Sequence, residues 1–320
     1  MKKKMIVKYL AIPPRVIIGI LASLTLGYTA IQAQDNSRIV NLGKNGWLFL
    51  TTEVYSYPKD ADSRILDKLV IINRYLKSKG VNVIFTLIPT KYDMYGEYDG
   101  SGIVVSKEKY DIFKKKFEES GLNYVDARSL LNTGKDEGKL VWMRRDIHMS
   151  PQGGELLGRG IGSYINRHFP LSLNNFKPYI ISHMTVKYPV DLWQFLDERN
   201  KELYDKFETI TIPKVNFSGN KDTLVDDNVP KITLVGSSFS IRPSDSIAVG
   251  IQEITHNDVL DVGIDGGGIW GSMDKYLSDE SYKKSPPAII VWEMPELIMN
   301  ENVLGEIQKF PEVQKILSGH

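Results

Sequence analysis

Continuous apolar runs recur along the chain, separated by stretches with a helical pattern. The runs lie at residues 81–88 (VNVIFTLI), 124–127, 232–235, 259–264 and 288–292. Because neither face of such a run is polar, each predicts a strand that is covered on both sides. Buried strands of this kind are typical of a parallel sheet.

The stretches between these runs place apolar residues at helical spacing. The clearest are residues 60–79, 107–120 and 151–169. The last is preceded by Ser150, a favourable N-cap, and begins with Pro151, which suits the first position of a helix. Strands that alternate with helices predict an α/β fold with three layers, α/β/α, around a central, mostly parallel sheet.

A single domain over residues 37–320 is the simplest organisation, because the chain has no internal repeat and no linker rich in Pro, Gly or Ser. Residues 170–230 are the least regular part. Within them, residues 191–195 (DLWQF) predict a short amphipathic helix.

The N-terminal 33 residues have the pattern of a targeting segment. Residues 1–15 hold five basic side chains and no acidic one, and residues 16–28 (VIIGILASLTLGY) are largely apolar. This order predicts a signal peptide over residues 1–33, or an anchor if the segment stays uncut. Thirteen apolar residues are short for a bilayer, which needs about 20, so an anchor would have to use residues 16–33. A buried N-terminal helix is the alternative, which the lysine cluster disfavours. We expect an exported protein of the periplasm or cell envelope.

Charge and composition exclude several classes of function. Beyond residue 33 the chain has 35 basic and 39 acidic side chains, a formal charge of −4. Nucleic-acid-binding proteins need a basic surface, so no nucleic-acid partner is expected. The chain has no cysteine, which excludes a thiolate nucleophile and cysteine-ligated metals.

A serine follows the apolar run 232–235 in the sequence Val-Gly-Ser-Ser-Phe-Ser. Ser238 lies two residues after Gly236, at the position where a strand-to-helix turn exposes a nucleophilic hydroxyl and where adjacent backbone N–H groups can bind an oxyanion. An ordinary turn serine is the alternative, since the usual pattern ends in Gly and this one ends in Ser. Ser237 and Ser240 are also candidates on chemical grounds.

An acid and an imidazole stand two residues apart in Asp146-Ile147-His148. In an extended segment both side chains point the same way, so the carboxylate can bind Nδ1–H and leave Nε2 free to accept a serine proton. A metal site is the competing interpretation, but it needs further ligands and the chain has neither H-x-H nor H-E-x-x-H. We therefore expect no metal.

Three consecutive glycines, residues 266–268, follow the run 259–264. They allow close backbone approach and exposed N–H groups, so Gly267 joins Ser238 as a candidate oxyanion donor, with a plain loop as the alternative. A phosphate loop is excluded because neither Lys-Ser, Lys-Thr nor G-x-G-x-x-G is present.

Several short motifs resemble, in order, those of a known family. They are residues 43–49 (GKNGWLF), 88–91 (IPTK), 146–153 (DIHMSPQG), 236–240 (GSSFS), 265–268 (DGGG) with Met273 and Tyr276-Leu277, and 291–293 (VWE). The chain resembles the SGNH hydrolase-like proteins of the alginate O-acetyltransferase family, exported proteins that acetylate exopolysaccharides. The resemblance covers roughly residues 43–296.

The resemblance implies an SGNH-hydrolase-like fold with a triad of Asp146, His148 and Ser238, and no cofactor. It implies a polysaccharide acceptor and an acetyl donor supplied by a membrane-bound O-acyltransferase. The chain departs from the family at Met149, where an aromatic residue is usual, although methionine fills the same apolar space. Only about 25 residues follow residue 293, so no appended carbohydrate-binding domain is expected.

Two other functions remain open at the level of sequence. An acetyl esterase would use the same triad with water as acceptor. A non-catalytic subunit of a polysaccharide secretion complex would not need Ser238 and His148 to meet.

Overall fold

A computed structural model of the protein describes residues 39–54, 59–102, 107–169, 171, 179–217, 230–299 and 302–319. The predicted targeting segment, residues 1–33, lies outside these ranges. Among the described residues, no helix has both the length and the apolar character that crossing a membrane requires.

Nine strands form within the described ranges: β1 (Val40–Leu42), β2 (Leu48–Leu50), β3 (Asn82–Ile88), β4 (Asn123–Val125), β5 (Tyr179–Pro189), β6 (Phe207–Phe217), β7 (Ile232–Val235), β8 (Val259–Asp261) and β9 (Ile289–Pro295). Five of them build a parallel sheet in the order β4-β3-β9-β7-β8. Each of these five overlaps a predicted apolar run, so the predicted sheet is confirmed. The last three residues of the run 259–264 leave strand β8.

Twelve α-helices lie in the described ranges: α1 (Lys59–Ser78), α2 (Lys91–Tyr95), α3 (Glu108–Glu119), α4 (Ala127–Asp136), α5 (Pro151–His168), α6 (Glu198–Leu203), α7 (Ser238–Ile241), α8 (Ser246–Thr255), α9 (Gly271–Ser278), α10 (Glu280–Lys284), α11 (Asn302–Glu306) and α12 (Pro311–Ser318). The three predicted helices correspond to α1, α3 and α5. At the start of α5, the Ser150 hydroxyl accepts a hydrogen bond from Gly153 N–H at 3.1 Å, as an N-cap does.

The two faces of the sheet bury different side chains of the same strands. In β9, Ile290, Trp292 and Met294 pack into a core with α1, α3, α9 and α12. Ile289 and Val291 pack on the opposite side with α4, α5 and α8. Because successive side chains of a strand point to opposite faces, a wholly apolar strand requires helices on both. The predicted α/β/α architecture is therefore confirmed.

Helices α5 and α8 pack against each other with almost no side chain between them. A Cβ atom added at Gly158 would lie 2.2 Å from the Ile247 carbonyl oxygen, so only glycine fits at this crossing. The contact extends to the first turn of α5, where a Cβ atom at Gly154 would lie 2.0 Å from Ser246 Oγ.

Residues 179–217, the main described part of the stretch 170–230, are more regular than the sequence predicts. Strands β5 and β6 pair antiparallel over their whole length, from Tyr179 opposite Phe217 to Pro189 opposite Phe207. Most of β5 is exposed or half-buried, so it lacks the clean apolar alternation that identifies a strand from sequence. Between the two strands, a short 3-10 helix at Leu192–Phe195 takes the place of the predicted amphipathic helix.

Candidate active site

Ser238 lies at the carboxyl end of a central strand. Strand β7 ends at Val235, Gly236 and Ser237 form the turn, and Ser238 is the first residue of α7. A Cβ atom at Gly236 would lie 2.0 Å from Ser240 Oγ and 2.5 Å from Glu293 Oε2, so the turn requires glycine there. The strand–turn–helix context is the one in which a serine is exposed as a nucleophile.

Asp146 and His148 meet Ser238 across 90 residues of sequence. His148 Nε2 lies 2.9 Å from Ser238 Oγ, and His148 Nδ1 lies 2.7 Å from Asp146 Oδ1. Asp146 Oδ1 also accepts the His148 backbone N–H at 3.0 Å. A carboxylate that binds Nδ1–H leaves Nε2 unprotonated and directed at the hydroxyl, the arrangement that lets imidazole act as a base.

Burial and electrostatic interactions have opposite effects on the pKa values of Asp146 and His148. Asp146 and His148 are each 1% exposed, and burial alone disfavours both charged forms. Burial is the largest single effect on each group, but the hydrogen bonds and charge interactions together outweigh it, so the pKa of His148 is raised and the pKa of Asp146 is lowered. Phe239 covers the imidazole at a ring separation of 4.9 Å. The imidazole is thus held in place and favours taking up a proton.

Ser237 and Ser240, the other serines of the motif, point to a different partner. Both hydroxyls donate to Glu293 Oε2 at 3.0 Å, and Glu293 also accepts the Ser237 backbone N–H at 2.8 Å. Glu293 is fully buried at the carboxyl end of β9, and burial raises its pKa. Glu293 therefore holds the turn through Ser237 and Ser240, while Ser238 faces His148.

Asp191 belongs to the site although its sequence context does not predict it. Its Oδ2 lies 3.4 Å from His148 Nδ1, and its backbone N–H donates to Asp146 Oδ2 at 2.8 Å. Burial and the nearby Asp146 charge raise the pKa of Asp191 to about 6. Asp191 also pairs with Arg242, which in turn contacts Asp265. No local pattern marks Asp191, because it lies 45 residues from Asp146 along the chain.

Asp146, His148 and Asp191 offer ligand atoms within 4.8 Å of one another, which reopens the metal interpretation. Two ligands of one tetrahedral zinc ion, each about 2.0–2.1 Å from it, lie about 3.3 Å apart. The separation of 2.7 Å between His148 Nδ1 and Asp146 Oδ1 is shorter and matches a direct hydrogen bond. The other ring nitrogen faces Ser238. The geometry therefore favours a hydrogen-bonded triad over a metal centre.

The three-glycine segment forms a tight turn after β8. Gly266 and Gly268 have positive φ angles of 69° and 62°. The Gly267 N–H donates to the Ile264 carbonyl at 3.1 Å, so in this conformation it is engaged within the turn. The Ser238 N–H stands at the first position of a helix, where backbone N–H groups have no intrahelical acceptor. Of the two oxyanion candidates, Ser238 has the more accessible donor here.

Residues 40–296 match a family model described as "SGNH hydrolase-like domain, acetyltransferase AlgX". The chain belongs to this family. The match spans all the motifs on which the resemblance rested, and the resemblance is confirmed.

Several members and relatives of the family are similar to this chain. The probable alginate O-acetylase AlgJ of Pseudomonas syringae pv. tomato is 28% identical over 279 residues, which cover 83% of this chain and 71% of that protein. AlgJ of Pseudomonas aeruginosa is 29% identical over 276 residues, covering 80% and 69%. The solved O-acetyltransferase domain of Pseudomonas putida AlgJ has a TM-score of 0.73 at 22% identity and covers 86% of this chain and 98% of that domain, a likeness of fold.

Proposed function

We propose that this protein is a serine-dependent O-acetyltransferase that moves acetyl groups onto hydroxyls of a secreted polysaccharide. Membership of the acetyltransferase family supplies the reaction class. The observation that carries the residue assignment is the continuous hydrogen-bonded line from Asp146 through His148 to Ser238 Oγ, with separations of 2.7 and 2.9 Å. The same contact disfavours a non-catalytic subunit, which would have no need of it.

In the first half-reaction Ser238 Oγ attacks the carbonyl carbon of the acetyl donor, and His148 Nε2 accepts the hydroxyl proton. The bond from that carbon to the donor's leaving group breaks, and His148 returns the proton to the leaving group. The acetyl group stays on Ser238 as an ester. Asp146 holds the tautomer and stabilises the imidazolium between the two proton transfers.

In the second half-reaction a sugar hydroxyl attacks the ester carbon and gives its proton to His148. The bond from the carbonyl carbon to Ser238 Oγ breaks, and Oγ takes the proton back. Both tetrahedral intermediates carry a negative oxygen, for which the Ser238 N–H at the start of α7 is the proposed donor. Gly267 would contribute only if its hydrogen bond to Ile264 opened.

The acceptor is proposed from the names of the relatives. AlgJ proteins are named as probable alginate O-acetylases, so alginate is the first polysaccharide to test. The acetyl donor would come from a membrane-bound O-acyltransferase, as the family resemblance implies. Such work requires export, which the N-terminal sequence pattern supports. Recovery of the full-length protein from the cytosol after cell fractionation would contradict export.

An acetyl-ester assay with and without oligosaccharide tests the proposed function. The purified protein is given an activated acetyl ester, and acetylated sugar and free acetate are measured together. We expect acetylated oligosaccharide to appear in the wild type and to be absent in Ser238→Ala. Free acetate at the same rate with and without acceptor would instead identify an esterase.

A further inference from the structure

The loop that carries Asp146 is buried apart from Arg144 and Arg145, and it belongs to neither a helix nor a strand. Buried backbone N–H and C=O groups need hydrogen-bond partners, and this loop cannot obtain them from a regular ladder. Its partners include four distant parts of the chain, one of which is the 3-10 helix at Leu192–Phe195, where the Leu192 N–H donates to the Arg145 carbonyl at 3.1 Å. The other three are strand β2, the start of helix α2 and strand β6.

Lys91, the first residue of α2, donates to three backbone carbonyls. Its Nζ lies 2.6 Å from Leu48 O, 2.7 Å from Arg144 O and 3.0 Å from Asp146 O. An ammonium group has three N–H donors, so all of them are used. Two of the acceptors, Arg144 and Asp146, belong to the loop that carries Asp146. The third, Leu48, belongs to β2, so Lys91 connects this loop to the hairpin of β1 and β2.

Glu208 of β6 binds backbone N–H groups of the same loop. Its carboxylate accepts the backbone N–H of Arg144 at 3.2 Å and that of Arg145 at 2.5 Å. Lys91 therefore binds the carbonyls of the loop and Glu208 its amides. Two buried side chains of opposite charge replace the ladder that a strand would have provided.

A lysine with no solvent exposure is unfavourable unless its charge is well partnered. Burial lowers the pKa of Lys91, while the charges of Glu53, Glu208 and Asp146 act to raise it. The rings of Trp47 and Phe49 each lie 5.2 Å from Nζ and add attraction for a cation. Removal of the ammonium alone would leave the three backbone carbonyls and the charges of Glu53 and Glu208 without this partner, so an effect on the site has to be separated from a loss of stability.

We propose that Lys91 is a positioning residue that holds the backbone of Asp146 so that its carboxylate meets His148 Nδ1. This inference rests on the proposed function, because it assigns Lys91 a role in the triad. Loss of the ammonium leaves the Asp146 and Leu48 carbonyls without this donor, and the loop moves. The hydrogen bond from His148 to Asp146 then lengthens.

Proton NMR of the full-length protein tests this without relying on activity. A His148 Nδ1–H that donates to a buried carboxylate gives a far-downfield resonance, assigned by its loss in His148→Gln. In Lys91→Met we expect the resonance to disappear or move upfield. The control is Lys107→Met. Like Lys91, Lys107 donates from Nζ to a backbone carbonyl, but its acceptor is Asp93 in α2 and not a residue of the loop that carries Asp146. The control should keep the wild-type resonance.

Kinetics distinguish positioning from general stabilisation. With an acetyl ester, Lys91→Met should lower kcat about 10–100-fold with little change in KM, as expected when a catalytic group is misplaced. In an Asp146→Asn background the same replacement should have little further effect, because the group that Lys91 positions is already lost. Independent, multiplicative losses in the double variant would contradict a role through Asp146.

Each remaining outcome is also decisive. A folded Lys91→Met with the wild-type resonance overturns the proposal. If Lys91→Met does not fold, Lys91→Gln, which keeps two N–H donors, is measured instead. If neither variant folds, the role of Lys91 is general stability and the proposal is rejected. A wild type without acetyl-ester activity, whose resonance is nevertheless lost in Lys91→Met, would contradict the proposed function and leave the positioning role standing.

Discussion

At the scale of single residues, the imidazole of His148 is the centre of the site, and three carboxylates surround it. Asp146 binds its Nδ1, Asp191 lies 3.4 Å from the same nitrogen, and Glu293 holds the serine turn. Asp146 and His148 could be predicted as a pair because they are two residues apart. Asp191, Glu293 and Lys91 could not be given roles, because their partners are brought near only by the folded chain.

The charge of Asp191 should set the acid limit of activity. His148 must be neutral to accept the Ser238 proton, so activity falls as the pH drops through the pKa of His148. Burial lowers that pKa, the hydrogen bond and charge of Asp146 raise it, and the charge of Asp191 raises it further. Asp191→Asn keeps the backbone N–H that binds Asp146 but removes the charge, so the acid limb should move to lower pH.

The pH profile of kcat/KM for acetyl-ester cleavage measures this shift. Asp258→Asn is the control, since Asp258 precedes β8 at the opposite end of the sheet from Ser238. An acid limb that stays in place, or moves upward, in Asp191→Asn would show that the Asp191 charge does not act on His148.

At the scale of elements, the wholly apolar strands are the part that sequence predicts best. The apolar run 288–292 needs no knowledge of neighbours to be recognised, and it predicts most of β9, whose seven residues are all buried, Glu293 included. The β5–β6 ribbon was missed for the converse reason, since β5 is exposed or half-buried throughout and Ile210 of β6 packs only into a small apolar cluster with Met143 and Val190. The contact of α5 with α8 was also unpredictable, because it depends on which glycines face each other.

Gly158→Ala should destabilise the fold at this helix contact. The added methyl meets the Ile247 carbonyl, and such overpacking costs about 1–3 kcal/mol, more than the ~1 kcal/mol that alanine gains in helix propensity. Denaturant unfolding measures the difference. Gly305→Ala in α11 is the control, because a Cβ there has no atom within 4 Å, and it should be neutral or stabilising. Equal effects of the two variants would mean that the helices can separate without penalty.

At the scale of the whole molecule, the fold brings distant segments to one edge of the sheet. Parallel strands end on the same side, so the turn after β7, the end of β9 and the start of α2 after β3 lie close together there. The loop that carries Asp146 and His148, which precedes α5, completes the group. Asp146, His148 and Ser238 follow one another in this order along the chain. The order is compatible with the site because the packing of the fold brings the three residues together. A single domain over residues 37–320 stays a prediction, as does the signal or anchor at residues 1–33.

The central claim is that Ser238 carries the acetyl group, and mapping the covalent intermediate tests it most directly. The protein is treated briefly with an activated acetyl ester, quenched in acid, digested and analysed by mass spectrometry. The account predicts an added acetyl group on Ser238 that is absent in Ser238→Ala and retained in Ser240→Ala. An acetyl group on Ser237 or Ser240, or undiminished acetyl transfer by Ser238→Ala, would contradict it.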